Sequence, residues 1–307
     1  MRFVVLGIGS VGGYLVSRLA LAGNTVEAIV SKRSNKRLIE VEGIEYYERD
    51  RRYIIKVPCY VYEDLMEIDT DYLIIATKTG DALQILDDLR ERRFNFNYIV
   101  TVQNGIESHL KASQMFGEDH LILSIREGLY AFDIHKIRNV SYGTIENVVT
   151  SLSASRESML QFAEILVASR IPATVSYDAR MVLHKKLVIN SIINPIASIL
   201  KVRNGYLLKM LTTNTVIGLI NEAIKVLSLD GVSLSQMEIS EDLKSVLKAT
   251  SENKCSMLQD LEKKKKTEID YLNGYLLRLA KKHSIEIPLH QMLYDLITRM
   301  EELHGPH

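Results

Sequence analysis

The chain has 307 residues, of which 47% are hydrophobic and 25% charged, proportions of an ordinary globular protein with length for about two domains. Its 38 Lys and Arg balance 38 Asp and Glu, so no overall charge draws it to nucleic acid or to an anionic membrane. Cys59 and Cys255 lie far apart without metal-ligand spacing, and no apolar run reaches transmembrane length. The expectation is a cytoplasmic protein with free thiols, no signal peptide and no bound metal.

Arg2-Phe3-Val4-Val5-Leu6 reads as a buried strand running directly into Gly7-Ile8-Gly9-Ser10-Val11-Gly12 and then a helix through Ala20. The glycines have the spacing G-x-G-x-x-G. Gly7 permits a tight turn, Gly9 lets the backbone approach a pyrophosphate, and Gly12 lets the helix pack on the strand. The pyrophosphate would sit at the helix N-terminus, among N–H groups and the positive end of the dipole. A second strand, Thr25–Val30, ends in Ser31-Lys32-Arg33-Ser34-Asn35-Lys36-Arg37. An NAD site usually places an acid there, and this one offers cations and hydroxyls. A solvated basic loop would look the same; the position favours NADP(H), with Lys32 or Arg33 on the 2′-phosphate.

Tyr72–Thr77 and Tyr98–Val102 read as strands buried on both faces, the habit of a parallel sheet, with Asp81–Leu89 a crossover helix between them. His120–Ser124 is a further strand, and residues 137–148 are expected to form a late strand pair. Beyond Ile171–Ser176 the pattern turns helical, with long segments at 182–201, 212–229, 240–249 and 267–283 and a helix start near Asp178. The expected fold is therefore an α/β Rossmann dinucleotide-binding domain, residues 1–177, followed by an all-helical substrate domain, residues 178–307. The run Lys263–Lys266 is expected on a solvated helix face.

One helical segment concentrates polar groups. Lys186, Asn190 and Asn194 recur every four positions and form one stripe on an otherwise apolar helix, and Pro195 is expected to loosen the helix at Asn194. A lysine held among apolar groups can serve as a general acid. Equally, it can snorkel to solvent while the asparagines satisfy buried backbone. Lys185 is rotated off the stripe. Downstream, Asn253 and Ser256 could hold a carboxylate or hydroxyl. Glu268 heads an apolar helix with Thr267 as N-cap, where complementing the dipole is its simplest role.

These segments resemble the ketopantoate reductase (2-dehydropantoate 2-reductase) family. The resemblance rests on Gly7-Ile8-Gly9-Ser10-Val11-Gly12, Thr77-Lys78, Gln103-Asn104-Gly105, Lys186-x-x-x-Asn190-x-x-x-Asn194-Pro195, Ser256-Met257-Leu258-Gln259-Asp260 and Glu268-Ile269-Asp270-Tyr271-Leu272-Asn273-Gly274, and so runs the length of the chain. It implies NADPH-dependent reduction of the 2-oxo group of ketopantoate to D-pantoate, a step of pantothenate and coenzyme A synthesis. By the same resemblance Lys186 is the general acid and Glu268 its acidic companion, also near the cofactor. Asn190 and Asn194 hold the substrate hydroxyl, Ser256 with Asn253 its carboxylate, and Lys78 and Asn104 lie along the cofactor.

Three features depart from the family pattern. His184 stands where a Trp often precedes the catalytic lysine, and Ser31 stands where an arginine ends the second strand, with Lys32 and Arg33 next to it. The stretch Ser124–Asn147 lacks the usual glycine and histidine pattern and is expected to affect packing rather than catalysis. Two rival readings remain on the same scaffold: a reductase of another 2-oxo acid, and a non-catalytic NADP(H)-binding sensor. The partner is a small-molecule substrate in the first two readings, and homodimerisation is left open.

Overall fold

The computed structural model describes residues 1–139 and 145–303. It divides into two compact units, Met1–Gln103 with Glu107–Ala179, and Asn104–Ile106 with Arg180–His307.

The first unit is α/β. Its elements are β1 (Arg2–Leu6), α1 (Ser10–Leu21), β2 (Thr25–Val30), α2 (Arg33–Glu42), β3 (Ile44–Glu48), β4 (Arg51–Ile55), β5 (Cys59–Val61), β6 (Glu67–Ile75), α3 (Thr79–Asp88), β7 (Arg93–Thr101), α4 (Glu107–Phe116), β8 (His120–Ser124), β9 (Leu129–Asp133), β10 (Lys136–Asn139), β11 (Asn147–Thr150), α5 (Arg156–Ala168) and β12 (Ala173–Val175). The main sheet has the order β12-β11-β8-β7-β6-β1-β2-β5. It is parallel from β5 to β8, and β11 joins β8 antiparallel. Phe3, Val4, Val5 and Leu6 are all buried because β1 lies mid-sheet, its odd and even side chains entering different apolar clusters. From β1 the chain passes to β2 on one side and later to β6 on the other, which makes the C-terminal end of β1 a topological switch point.

The expected late strand pair is corrected here. Its described residues do form strands, β10 and β11, but in different sheets, and residues 140–144 lie outside the described residues. β10 belongs to a second sheet of order β4-β3-β10-β9, built from two hairpins joined in parallel. That sheet presses on α1: a Cβ on Gly13 would lie 2.2 Å from Ile137 Cδ1. Under α1, the buried Glu127 carboxylate accepts from Tyr14 Oη (2.5 Å), Asn139 Nδ2 (2.7 Å) and Asn147 Nδ2 (2.8 Å). Burial and this carboxylate push the Tyr14 phenol upward, so it stays a donor. Glu127, Asn139 and Asn147 thus brace the first helix from within.

The second unit is helical: α6 (Ala179–Leu200), α7 (Asn214–Leu229), α8 (Gln236–Ala249), α9 (Ser256–Glu262), α10 (Asn273–Lys282) and α11 (Pro288–Glu302). The expected helix over 267–283 is shorter, since a 3-10 turn over Ile269–Tyr271 precedes α10. Thr267 shapes that turn, its Oγ1 accepting from Ile269 N at 3.2 Å, and does not cap an α-helix. Lys263–Lys266 are exposed as expected but follow α9 in a turn, with Lys264 at φ +52°. Pro195 sits inside α6 without ending it. Pro288 starts α11, and the Glu222 carboxylate takes the next two N–H groups, Leu289 at 3.0 Å and His290 at 3.1 Å. No helix of the described residues is long and apolar enough to cross a membrane.

Two buried histidines give the stability a pH dependence. Burial lowers His290 from 6.5 to about 4, and burial with His109 nearby lowers His120 to about 3. Both fold as neutral rings, so their contribution is complete above pH 6.5, the unfolded value, and is lost as pH falls toward 4. The Tm should drop over that interval, and His290→Gln, which cannot titrate, should flatten the drop; an unchanged slope would contradict the assignment.

Candidate active site

The glycine loop has the geometry its spacing requires. Gly7 has φ +93°, and a Cβ on Gly12 would lie 1.8 Å from the Gly7 carbonyl oxygen, so α1 can approach β1 this closely only with glycine there. A Cβ on Gly9, in contrast, would meet nothing within 4 Å. Gly9 is also the N-cap of α1 and offers no side chain to the first-turn N–H groups. Ile8 is buried and anchors the loop, while Ser10 and Val11 form the half-buried first turn. Beside Gly7, the buried Thr77 Oγ1 has no hydrogen-bond partner among the described residues. Lys78 follows, half-buried, as N-cap of α3. An open glycine, an uncapped helix start and an orphaned hydroxyl at the switch point fit a phosphate-bearing ligand.

At the end of β2, Ser31, Lys32 and Arg33 are all exposed. Lys32 is the N-cap of α2, a helix whose first turn carries Arg33 and Lys36 and no acid. Cations at a helix N-terminus oppose its dipole, an arrangement that an anionic ligand would relieve. Arg33 Nη2 lies 2.6 Å from Asp64 Oδ1, but the arginine is 76% exposed and the pair is solvent-screened.

In the second unit α6 carries the polar stripe. Lys186 and Asn190 are half-buried and Asn194 is buried, among the buried Leu187, Val188, Ile189, Ile192 and Ile193. Asn190 Nδ2 donates to Asn104 Oδ1 at 3.4 Å, and Asn104 Nδ2 donates to Glu268 Oε2 at 3.1 Å. Asn104, expected along the cofactor, therefore joins this cluster. It reaches there because Gly105 (φ +87°) brings the backbone against the Tyr271 carbonyl, 2.8 Å from where a Cβ would stand. Lys185 points elsewhere, with Nζ 3.2 Å from Asp242 Oδ2 and 3.8 Å from Glu238 Oε2. His184 is buried and its Nδ1 donates to the Arg180 carbonyl at 2.6 Å, so the ring is bonded to its own helix.

Ser256 is the exposed first residue of α9, and Asn253 is half-buried in the preceding turn. Between them Cys255 fastens α9 to α6. Its thiol, held protonated by burial, donates to the Asn194 carbonyl at 3.5 Å, and its sulfur accepts from Leu258 N at 3.4 Å. The sequence reading left Cys255 without a role, because a lone cysteine carries no signal of the carbonyl it meets. One further cluster, Glu42, Glu45 and His135, holds its oxygen and nitrogen atoms within 4.8 Å of one another among the described residues. Bonds from Arg52 and Tyr47 hold the Glu45 carboxyl down at about 2, so this carboxylate already serves a cation of the chain.

The chain thus pairs an α/β unit of dinucleotide-binding type with a helical unit that holds bonded amides and a carboxylate, and comparison with known proteins gives its family. Residues 3–144 match the family model "Ketopantoate reductase PanE/ApbA", and residues 178–301 match "Ketopantoate reductase PanE/ApbA C terminal". The chain belongs to the ketopantoate reductase family over both of these parts. It is 27% identical to the 2-dehydropantoate 2-reductase of Aquifex aeolicus over 309 residues, covering 98% of this chain and 97% of the relative. Its fold resembles that of a D-mandelate dehydrogenase solved with NADH and anilino(oxo)acetate, with a TM-score of 0.90, 21% identity and full coverage of both chains. It also resembles a PanE/ApbA family ketopantoate reductase from Ralstonia eutropha JMP134, with a TM-score of 0.85, 20% identity and full coverage of both chains.

The glycines separate folding from binding. Gly12→Ala should lower the Tm, because the clash is with backbone. Gly9→Ala should leave the Tm nearly unchanged yet weaken dinucleotide binding about tenfold or more, roughly 1.4 kcal/mol. Titration of the purified variants with reduced dinucleotide checks both; full affinity in Gly9→Ala would remove the loop from the binding site.

Proposed function

We propose that the protein is an NADPH-dependent 2-dehydropantoate 2-reductase that converts ketopantoate to D-pantoate. The observation that carries this reading is the bonded chain Asn190–Asn104–Glu268, which starts from the helix that also bears Lys186. Residues 7–12 with Lys78 would hold the dinucleotide, and Ser31, Lys32 and Arg33 the 2′-phosphate. When bound, the reduced nicotinamide supplies a hydride to C2 of the 2-oxo acid. Negative charge then grows on the former carbonyl oxygen. The Lys186 ammonium stabilises that charge and delivers the proton. Glu268, fixed through Asn104, is the acidic companion of the lysine. Asn190 and Asn194 hold the substrate hydroxyl, and Ser256 with Asn253 its carboxylate. A cytoplasmic site of action goes with this reading.

The likeness to a D-mandelate dehydrogenase fold favours a second reading, a reductase of another 2-oxo acid. Cofactor oxidation with ketopantoate, beside 2-oxo acids lacking its hydroxyl, separates the two. Ketopantoate should lead in kcat/KM by about a hundredfold, on the order of 3 kcal/mol of transition-state discrimination. A lead by another acid supports the second reading, and silence with every substrate points to a dinucleotide-binding sensor.

For the cofactor, Lys32→Ala with Arg33→Ala should weaken NADPH by about tenfold more than NADH, measured as KM for each. Equal losses would contradict the 2′-phosphate assignment.

A further inference from the structure

Pro195 has no main-chain N–H, so the carbonyl of Ser191, four residues back in α6, lacks its helical donor. Ser191 is fully buried, and an unpaired carbonyl there is costly. The donor comes from another helix: Asn273 Nδ2, at the first turn of α10, lies 3.1 Å from Ser191 O. The second proton of that amide points to His290 Nδ1 at 3.0 Å, while His290 Nε2 donates to the Leu219 carbonyl at 3.0 Å. With Nε2 the donor, Nδ1 is the acceptor, and burial keeps the ring neutral with a pKa of about 4. Reversing the amide would set its oxygen against two acceptors, so its orientation is fixed. Asn273 is fully buried, and with His290 it links α6 to α10, α11 and α7.

The placement of this bond matters more than its strength. Ser191 lies between Asn190 and Asn194, and Asn273 follows Glu268 with only the 3-10 turn between them. One buried amide therefore ties the turn carrying the two asparagines to the segment carrying the carboxylate.

We propose that Asn273 is a positioning residue, which supplies the donor that Pro195 withholds from Ser191 and so sets Lys186, Asn190 and Asn194 in register with Glu268. This rests on the reading of those four residues as substrate-handling groups. The proline inside α6 and the asparagine five residues after the carboxylate then form one device: a freed carbonyl and its replacement donor.

The test is a double-mutant cycle between Pro195→Ala and Asn273→Ala. Asn273→Ala should lower kcat/KM for the 2-oxo acid about tenfold or more, with the KM for NADPH within about twofold of wild type. Pro195→Ala restores a main-chain N–H to Ser191, so the double variant should recover most of the loss. A cavity at residue 273 persists in the double variant, so recovery separates hydrogen-bond supply from packing. A double variant as impaired as Asn273→Ala, or a single variant that loses Tm with unchanged kcat and KM, overturns the proposal. If Asn273→Ala fails to accumulate, Asn273→Leu, which nearly keeps the volume and has no donor, takes its place in the same cycle. If the wild-type protein reduces no 2-oxo acid, the functional reading fails by itself. The cycle is then read in Tm, where additive shifts would overturn the Pro195–Asn273 link.

Discussion

The hydrogen bond from Asn104 to Glu268 is the contact on which the second unit's polar cluster depends. The two residues are 164 positions apart in the chain. Helix α6 is buried along most of its length, and polar groups in such a place must be satisfied or face a ligand. Asn104 satisfies one of them and reaches beyond the helix: its oxygen accepts from the Asn190 amide of α6, and its own amide donates to the Glu268 carboxylate. Gly105 makes this possible, since a side chain there would strike the Tyr271 carbonyl. An amide donor of this kind fixes the orientation of the Glu268 carboxylate.

In the first unit a relay of buried bonds holds Gln103, the residue just before Asn104. His120 Nε2 donates to Thr101 Oγ1 at 2.7 Å, which donates to His109 Nδ1 at 2.7 Å, and His109 Nε2 donates to the Gln103 carbonyl at 3.1 Å. The Gln103 side chain meanwhile donates to the Ile75 carbonyl at 2.6 Å, at the end of β6. The chain thus leaves the sheet from a rigid point. Gly7 and Gly12 impose the same kind of constraint on α1, where backbone meets backbone and a single methyl group would part helix from strand.

Much of this was legible where local pattern and tertiary role coincide. Fully buried parallel strands read as unbroken apolar runs, and G-x-G-x-x-G between a strand and a helix admits few other geometries. The stripe Lys186–Asn190–Asn194 followed from helical periodicity alone. What escaped was set by partners distant in sequence. The second sheet was missed because its strands are short and mix charged with apolar residues without a regular alternation, as in Arg51-Arg52-Tyr53-Ile54-Ile55. No helix was expected in the basic run after β2, yet α2 begins at Arg33 with cations in its first turn. Asn104, Cys255 and Asn273 each meet a group more than fifty residues away, and no local spacing announces such a meeting.

Replacement of Lys186 tests the proton-donor role most directly. Lys186→Ala should lower kcat for the 2-oxo acid on the order of 10²–10⁴-fold, the range for loss of a positioned general acid, while Tm and dinucleotide affinity stay close to wild type. Turnover within tenfold of the wild-type enzyme, with the fold intact, would remove Lys186 from the chemistry and leave the amide–carboxylate cluster without its acid.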